Sequence, residues 1–406
     1  MQFILDHHHG VADLGIWAYV AVAFVVMQVT LMGITLYYHR DQAHRAIDLH
    51  PALRHFFRFW LWFNTGANTK EWVAVHRKHH AFCEKQGDPH SPKIFGLKCV
   101  LLRGAELYRA EAANKETVEK YSKGTPDDWL ERNVYSRWPN GGIVLLAIAD
   151  LVLFGVGGII LLSIQLITMP MLAAGVINGL GHAKGYRNFE TDDASTNLWP
   201  VGLLVAGEEL HNNHHAFPSS AKFSLRRGEI DLGWLYIKLL APLRLVTVRR
   251  VAPQPQLASA PGSLDIGALR SIIINRMHVL RHYTQSVTLP VLRHEVERVG
   301  ENASAVVARA RRFLSRSPSM LDSVSQARLE ELMGRHPSFK TVMEFRSELK
   351  ALWSGAHRSN EHLLAEFKEW CSRAEASGIQ KLQDFAIYLR SYAPSAAPAM
   401  VPGLQK

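Results

Sequence analysis

The sequence predicts an all-α integral membrane protein that has few transmembrane helices and a helical cap on the cytoplasmic side. Two long apolar runs, 14–38 and 142–177, lie in segments without Lys or Arg. Roughly 20 apolar residues cross a bilayer, so the first run fits one span. The second run is interrupted by glycines at 155–158 and fits two short spans joined by a tight turn. Clusters of histidine next to these runs are the candidate functional residues of the cap.

The distribution of basic residues predicts the orientation in the membrane. Segments 39–137 and 183–250 contain the Lys and Arg residues that flank the apolar runs. By the positive-inside rule both segments face the cytoplasm, and the N-terminus lies outside. Segment 53–69 is apolar but includes Arg54 and Arg58, which favours an amphipathic or re-entrant helix at the interface. We therefore expect three spans, and four are possible.

Composition divides the chain into a membrane domain and a C-terminal extension. We expect a membrane domain at 1–250, a linker rich in Pro, Ala and Ser at 251–263, a cytoplasmic helical extension at 264–392 and a disordered tail at 393–406. The net charge is +10, and residues 251–406 contain 20 basic and 14 acidic residues. This excess suits anionic lipid or an acidic electron donor. Nucleic-acid binding is not expected, because the basic residues are concentrated in the segments that are predicted to face the cytoplasm.

Two histidine motifs share one spacing. The sequences HRKHH at 76–80 and HNNHH at 211–215 both read His-x-x-His-His. Positions i, i+3 and i+4 share one face of a helix, so the three imidazoles of each motif can converge on one point. Clustered imidazoles beside a membrane have little structural use. We therefore predict that both motifs bind metal.

Further histidines follow the apolar runs directly. His39 and His44 come after the first run, and His182 comes after the last, with Asn178 four residues earlier. A regular helix turns residues five apart by about 140°. The pair His39 and His44 therefore suits either two different metals or a helix end that unwinds.

Nine clustered histidines are too many for one ion. Two ions with four or five nitrogen ligands each would use the set and leave positions open. The ligands are His39, His44, His76, His79, His80, His182, His211, His214 and His215. Carboxylates should accept hydrogen bonds from these rings and fix their tautomers. The candidates are Asp41, Glu71, Asp88, Glu208 and Glu209.

The motifs resemble the histidine boxes of membrane fatty acid desaturases of the delta-9, stearoyl-CoA desaturase type. Phrases such as EWVAVHRKHH, GDPHSP and GEELHNNHHAFPSSAKFS are similar to the bacterial branch of that family. The resemblance covers about residues 14–240. It implies that the nine histidines bind two irons, and that Asn178 reaches one iron through water.

The resemblance also implies the reaction and the partners. An O₂-dependent di-iron acyl desaturase of this kind would insert a cis double bond at carbon 9 of a saturated acyl chain, held as acyl-CoA or phospholipid. Two electrons would come from a separate ferredoxin-like or cytochrome b5-like donor with its reductase. The protein would be a multi-pass protein of the bacterial cytoplasmic membrane, with its active site facing the cytoplasm.

The resemblance further indicates where the acyl tunnel ends. Tunnels of this family end against the helix before the first histidine box. Counting back three to four turns from His39 points at Met27 and Ala23, which we expect to set chain length. A di-iron hydroxylase of lipids or alkanes is the alternative, because it uses similar chemistry but leaves oxygen on carbon. A metal transporter or sensor would need fewer ligands.

Overall fold

The structure, a computed structural model, describes residues 10–12, 14–199, 202–354 and 359–393. These residues form two compact units. The first unit contains the residues up to 186 and 195–252, and the second contains 187–194 together with 253–393. The sequence placed the domain boundary at residue 250 but did not assign 187–194 to the C-terminal part. The predicted tail, 393–406, lies outside the described residues except for Ala393.

The described part of the first unit is mainly helical. Its helices are α1 (Ile16–Gly33), α2 (Pro51–Thr65), α3 (Thr69–Phe82), α4 (Pro92–Phe95), α5 (Leu97–Ala112), α6 (Lys115–Tyr121), α7 (Gly141–Phe154), α8 (Val156–Met169), α9 (Gly202–Val205), α10 (His211–Ala216) and α11 (Leu232–Leu240). The π-helical segments are Ile34–Ala43, Glu131–Tyr135 and Pro170–Ile177, and Leu180–His182 is a 3₁₀ turn. Strands β1 (Ile47–Leu49) and β2 (Val246–Val248) form a small antiparallel ribbon in which Ile47 pairs with Val248.

Two helices are long and apolar enough to cross a membrane. Helix α1 with its π-helical continuation spans Ile16–Ala43, and α8 with its continuation spans Val156–His182. Only 28% and 22% of their most apolar windows are buried. A core helix of a soluble protein would be mostly buried, so these exposed apolar faces favour a lipid environment. Helix α7 is apolar but shorter. The predicted number of spans and their sidedness stay predictions.

Helices α7 and α8 form a hairpin around a single glycine. Gly155 has φ 57° and ψ −131°, a conformation that residues with a Cβ rarely adopt. Its N–H bonds the carbonyl of Leu151 at 2.9 Å and so ends α7. The Gly-rich break in the second apolar run is therefore the tight turn that the sequence predicts.

Helix α2 lies across the end of the first apolar helix. Arg54, in its first turn, bonds the Asp41 carboxylate at 2.7 Å. The carbonyl of Ala67, just after its last turn, accepts the Tyr38 hydroxyl at 2.7 Å. A helix rises about 1.5 Å per residue, so its two ends are about 20 Å apart yet contact residues only three apart in sequence. This geometry favours the amphipathic, non-crossing helix predicted for 53–69.

The described part of the second unit is built from helices around its own core. The helices are α12 (Ile266–Ile274), α13 (Arg276–Tyr283), α14 (Leu289–Arg298), α15 (Ala303–Leu314), α16 (Ser323–Arg335), α17 (Pro337–Ser354), α18 (Asn360–Ala376) and α19 (Gln380–Arg390). Thr284–Thr288 is π-helical and Pro318–Met320 is a 3₁₀ turn. The buried apolar cluster of this unit runs from Leu264 to Tyr392 and includes Trp370 and Phe385.

The predicted linker is held to the end of the second unit. The N–H of Ala258 bonds the carbonyl of Ser391 at 2.7 Å, and the N–H of Gly262 bonds that of Arg390 at 3.0 Å. Segment 253–263 is therefore part of the folded second unit. Its composition alone does not reveal these backbone bonds.

Substitution of Gly158 tests the packing of the hairpin. A Cβ at Gly158 would lie 2.0 Å from the backbone oxygen of Asp150, which no side-chain rotation can relieve. We expect Gly158→Ala to destabilise the first unit by about 1–3 kcal/mol, the usual cost of overpacking. Thermal unfolding in detergent measures this. Gly15→Ala is the control, because no atom lies within 4 Å of its added Cβ; equal unfolding temperatures for the two variants would contradict the packing described here.

Candidate metal centre

Five of the predicted histidines converge in one cluster. Ring nitrogens of His39, His44, His76, His80 and His214 all lie within 4.8 Å of one another. The Nε2 of His214 is 3.1 Å from that of His39 and 3.0 Å from that of His80. The Nε2 atoms of His44 and His76 are 2.8 Å apart. We call this set the five-histidine cluster.

A π-helical turn brings His39 and His44 to the same cluster. The N–H of His44 bonds the carbonyl of His39 at 3.0 Å, the i to i+5 bond of a π-helix. Residues five apart then share a face, which a regular α-helix does not allow. Both rings therefore reach one cluster rather than two metals, and the helix end widens instead of unwinding.

The other four predicted histidines form a second cluster. The Nε2 of His182 lies 3.2 Å from that of His79 and 2.8 Å from that of His211. The Nε2 atoms of His211 and His215 are 3.2 Å apart. We call His79, His182, His211 and His215 the four-histidine cluster. Helices α3 and α10 supply histidines to both clusters. The three histidines of each motif are therefore divided between the two clusters and do not converge on one point.

Three carboxylates fix the orientation of rings in these clusters. Glu208 Oε2 lies 2.7 Å from His39 Nδ1, Asp88 Oδ1 lies 2.9 Å from His79 Nδ1, and Glu84 Oε1 lies 2.8 Å from His182 Nδ1. A carboxylate accepts a hydrogen bond from the N–H of the nitrogen that it contacts. In a neutral ring whose proton is on Nδ1, Nε2 carries no proton. These Nε2 atoms point into the clusters.

The donor set fits metal ions. His79 and His182 each have Nδ1 on a carboxylate, and their unprotonated Nε2 atoms face each other at 3.2 Å. Two lone pairs at this distance repel unless a cation lies between them. Nitrogens bound at about 2.1 Å to one ion at right angles would be about 3.0 Å apart. The observed separations of 2.8–3.2 Å match that value.

Burial keeps the rings neutral. It lowers the pKa of His211 and His214, which are almost completely buried, well below the ordinary value. The same cause lowers the pKa of His44, His76 and His80. Neutral imidazole is the form that binds metal. These five rings therefore need no deprotonation near neutral pH before they could bind a metal.

Glu208 is itself held by a buried network. Its Oε1 accepts the Thr35 hydroxyl at 2.6 Å and lies 3.3 Å from Arg40, which also binds Asp231 at 2.9 Å. Burial alone would raise the pKa of Glu208, but His39 and Arg40 hold it below the ordinary value. Glu208 is therefore ionised and accepts a hydrogen bond from the Nδ1–H of His39.

Asn197 organises helix α10. Its side-chain oxygen accepts the backbone N–H groups of Asn212 at 2.9 Å and Asn213 at 3.2 Å. The first N–H groups of a helix have no partner within it, so this oxygen caps α10 from a distant segment. Asn213 also donates to the carbonyl of Phe223 and to Glu229, each at 2.9 Å. The two asparagines of HNNHH therefore anchor the helix, while its histidines face the clusters.

Comparison with known proteins agrees with this geometry. A family model described as fatty acid desaturase matches residues 15–229, more than half of the chain. The chain belongs to the fatty acid desaturase family. It is an oxidoreductase that acts on acyl lipids, and the predicted delta-9 desaturase relationship is confirmed. Its assignment to the bacterial branch stays a prediction.

Several individual relatives match this chain over about 245 residues. This desaturase is 31% identical over 245 residues to delta-9 acyl-lipid desaturase 1 of Arabidopsis thaliana, a match covering 59% of this chain and 78% of that protein. It is 32% identical over 248 residues to an sn-1 stearoyl-lipid 9-desaturase of Synechocystis, covering 60% and 75%. The corresponding Anabaena variabilis protein is 32% identical over 245 residues, covering 59% and 87%.

The second unit of the desaturase matches a different model. A family described as transposase matches residues 269–400, less than half of the chain. The described residues matched there form helices in the second unit. This similarity does not change the family to which the chain belongs.

The structure places the predicted ring acceptors in different surroundings. Asp88 and Glu208 contact histidines, as described above. Asp41 instead accepts from Arg54 and the N–H of Leu49, and Glu71 lies in the first turn of α3, where Asn68 caps its N–H. Burial raises the pKa of Glu209 to about 8, so its carboxyl is largely protonated at neutral pH. A protonated carboxyl is a poor acceptor for an imidazole N–H.

Asn178 lies four residues before His182, at the end of the second long apolar helix. It follows the π-helical segment Pro170–Ile177 directly, is half-buried, and lies two residues before the 3₁₀ turn Leu180–His182 begins. Its predicted link to iron through water stays a prediction.

Two residues that directly follow α3 were missed by sequence reasoning. Glu84 binds His182, although 98 residues separate them, and its φ of 65° turns the chain back toward the cluster. Cys83 Sγ lies 3.7 Å from His79 Nε2. The Glu84 backbone N–H is held by Asp88 at 2.9 Å. The position of Glu84 just after HRKHH makes it a candidate partner for a histidine. The sequence does not show that this histidine is His182.

A cavity contains both residues predicted to end the acyl tunnel. Its volume is about 170 Å³, and Ala23 and Met27 line it together with Thr30, Asn64 and Gln165. Helices α1, α2 and α8 supply these side chains. The two predicted residues therefore face the same empty space, on the helix that leads to His39.

Glu84 provides a test of the carboxylate-to-histidine contacts. Glu84→Gln keeps the shape of the side chain but removes the charge that orients His182. Loss of such a partner usually weakens metal affinity 10–100-fold, and we expect a value near the lower end. Competition of the purified protein with a chelator for Fe²⁺ measures it. The exposed Glu106→Gln on α5 is the control; affinities that do not differ between these variants would refute the role of Glu84.

Proposed function

We propose that this chain is an O₂-dependent di-iron acyl-lipid desaturase that inserts a cis double bond at carbon 9 of a saturated acyl chain. The opposed Nε2 atoms of His79 and His182 carry this proposal, because carboxylates on both Nδ1 atoms leave those nitrogens facing each other. Such an arrangement is stable around a cation. The nine ligands are neutral, which distinguishes the site from carboxylate-rich di-iron bundles.

The two clusters would hold one iron each. The irons, when bound, would supply the dioxygen activation that removal of hydrogen from an unactivated carbon chain requires. The protein's own contribution is orientation: Glu208, Asp88 and Glu84 hold three rings in one tautomer. Helices α3 and α10 each contribute to both clusters, so a shift of either helix changes both sites together.

The relatives support the reaction and the substrate class. The proteins named above are called delta-9 acyl-lipid and sn-1 stearoyl-lipid 9-desaturases. These names favour a double bond at carbon 9 and an acyl group on a lipid over acyl-CoA. They also favour desaturation over the hydroxylation considered as the alternative.

We further propose that α1, α7 and α8 cross the bacterial cytoplasmic membrane and place both clusters on the cytoplasmic side. His39 and His182 lie at the ends of the two long apolar helices, and the basic segments of the first unit adjoin those same ends. A separate ferredoxin-like or cytochrome b5-like donor, with its reductase, would deliver the electrons. The basic excess of the chain suits an acidic carrier.

Expression in a host that lacks this activity tests the proposed function. The lipids of the host are analysed by mass spectrometry, with localisation of the double bond and resolution of the headgroups over time. A new delta-9 double bond that appears first on a phospholipid supports the proposal. Its first appearance on acyl-CoA would change the substrate, and a hydroxylated product would overturn desaturation.

His214→Ala tests the metal ligands. The Nε2 of His214 lies near those of His39 and His80, and its loss leaves four nitrogens in the five-histidine cluster. We expect loss of bound iron and of the unsaturated product. Metal analysis of the purified protein and lipid analysis of the host measure both. His55→Ala is the control, because His55 is exposed on α2. An active His214→Ala protein would show that the cluster is not the oxidising site.

Ala23→Phe tests the cavity as the end of the acyl tunnel. A phenyl ring at Ala23 would fill much of the cavity, so products should shift toward shorter acyl chains. The distribution of product lengths is the readout. Val25→Phe is the control, because Val25 lies on the same helix but is 57% exposed and does not line the cavity. An unchanged distribution of product lengths in Ala23→Phe would show that this cavity is not the end of the acyl tunnel.

A further inference from the structure

Segment 187–194 belongs to the second unit, although the chain on either side of it belongs to the first. The chain leaves the first unit after Tyr186 and returns to it at Ser195. In sequence this segment lies between His182 and the HNNHH motif, two contributors to the metal centre. We call it the 187–194 loop.

Ion pairs hold the loop within the second unit, and the pair between Glu190 and Arg346 is buried. Glu190 pairs with Arg346 and lies 3.5 Å from the Lys350 ammonium, and Asp192 lies 2.7 Å from that ammonium. Glu190 and Arg346 are 8% and 5% exposed, so each charge depends on its partner. Arg346 also donates to the carbonyl of Leu314 at 3.0 Å. Helix α17 therefore holds the acidic side of the loop through two cations.

The rest of the loop is fixed as well. Phe189 is 1% exposed and packs edge-on against the ring of His278, at 5.2 Å between centroids. Arg187 donates to the carbonyl of Ser315 at 3.0 Å and to the Thr191 hydroxyl at 2.8 Å. The apolar core of the second unit consists of residues from Leu264 to Tyr392 and does not include the loop. The loop is thus fixed in the second unit by an aromatic contact and by hydrogen bonds as well as by its ion pairs.

The two ends of the loop are held in the first unit. Tyr186 and Asn197 exchange backbone hydrogen bonds of 3.0 and 2.7 Å. The N–H of Thr196 donates to the carbonyl of Gly181 at 2.6 Å, directly before His182. The side chain of Asn197 caps helix α10, which carries His211, His214 and His215. The residues that close the loop therefore also orient ligands from two chain segments.

We propose that Arg346 and Lys350 of the second unit are positioning residues for the metal centre. By fixing the 187–194 loop they restrict the motion of Thr196 and Asn197, and hence of His182 and α10. The C-terminal extension thus has a defined task in the reaction although it contributes no predicted ligand. This inference rests on the proposed function only in requiring that the histidine clusters bind iron.

Release of iron from the full-length protein tests the proposal. The probe is Fe²⁺ loaded into purified protein, and transfer to an excess of chelator gives the release rate. We expect Glu190→Gln and Arg346→Met each to release iron about tenfold faster, in line with the loss of other supporting contacts at metal sites. The double variant should release iron no faster than the weaker-binding single variant, because both changes remove one interaction. Arg346→Lys should restore most of the retention.

Controls separate this role from general destabilisation. Arg373→Gln removes an exposed ion pair with Glu348 in the same unit and should not change iron release. Hydrogen–deuterium exchange, measured at a temperature where both proteins are folded, should rise at 195–197 and 211–215 in Arg346→Met but not in α3. Unchanged release and exchange in folded Glu190→Gln and Arg346→Met would overturn the inference and leave the proposed function intact. A wild-type chain that binds no iron would overturn both.

Discussion

The contact between a carboxylate and the outer nitrogen of an imidazole is the constraint on which the metal centre depends. Without Glu208, Asp88 and Glu84, the rings of His39, His79 and His182 could rotate or exchange tautomers, and their Nε2 atoms would not stay directed into the two clusters. With these contacts the three Nε2 atoms are fixed as acceptors, and those of His79 and His182 face each other at 3.2 Å. A metal ion between them would relieve their mutual repulsion, so these hydrogen bonds favour metal binding.

That constraint explains the construction of the surrounding first unit. Glu208 can be ionised while buried because Arg40 and Thr35 contact it, and Arg40 in turn needs Asp231. Glu84 can reach His182 only because the chain adopts a left-handed conformation just after α3. Such a conformation is unfavourable for a residue with a Cβ, and the bond from its N–H to Asp88 maintains it. The orientation of His39 and of His182 therefore depends on residues outside both clusters.

The sequence predicts the parts of this arrangement that are local. The i, i+3 and i+4 spacing within HRKHH and HNNHH depends only on helix geometry, and the apolar runs depend only on length and hydropathy. The sequence does not decide whether His39 and His44 reach one metal or two, because a π-helical turn has no clear sequence signature. Glu209 was a candidate acceptor like its neighbour Glu208, but consecutive side chains point in different directions and only one reaches a histidine. The partnership of Glu84 with His182 joins distant segments and needs the folded chain.

The 187–194 loop is the clearest case in which composition could not predict the fold. The sequence RNFETDDA resembles a polar surface loop, and domain prediction from composition assigns it to the surrounding membrane domain. Its partners Arg346 and Lys350 lie more than 150 residues later, in a unit that has its own apolar core. Buried charges in such a place need partners of opposite sign, so they specify one arrangement of the loop and reject others. The histidines of the candidate metal centre come from four chain segments, and neutral imidazoles do not attract one another electrostatically. The positions of these segments therefore depend on contacts elsewhere, such as the ion pairs of the loop.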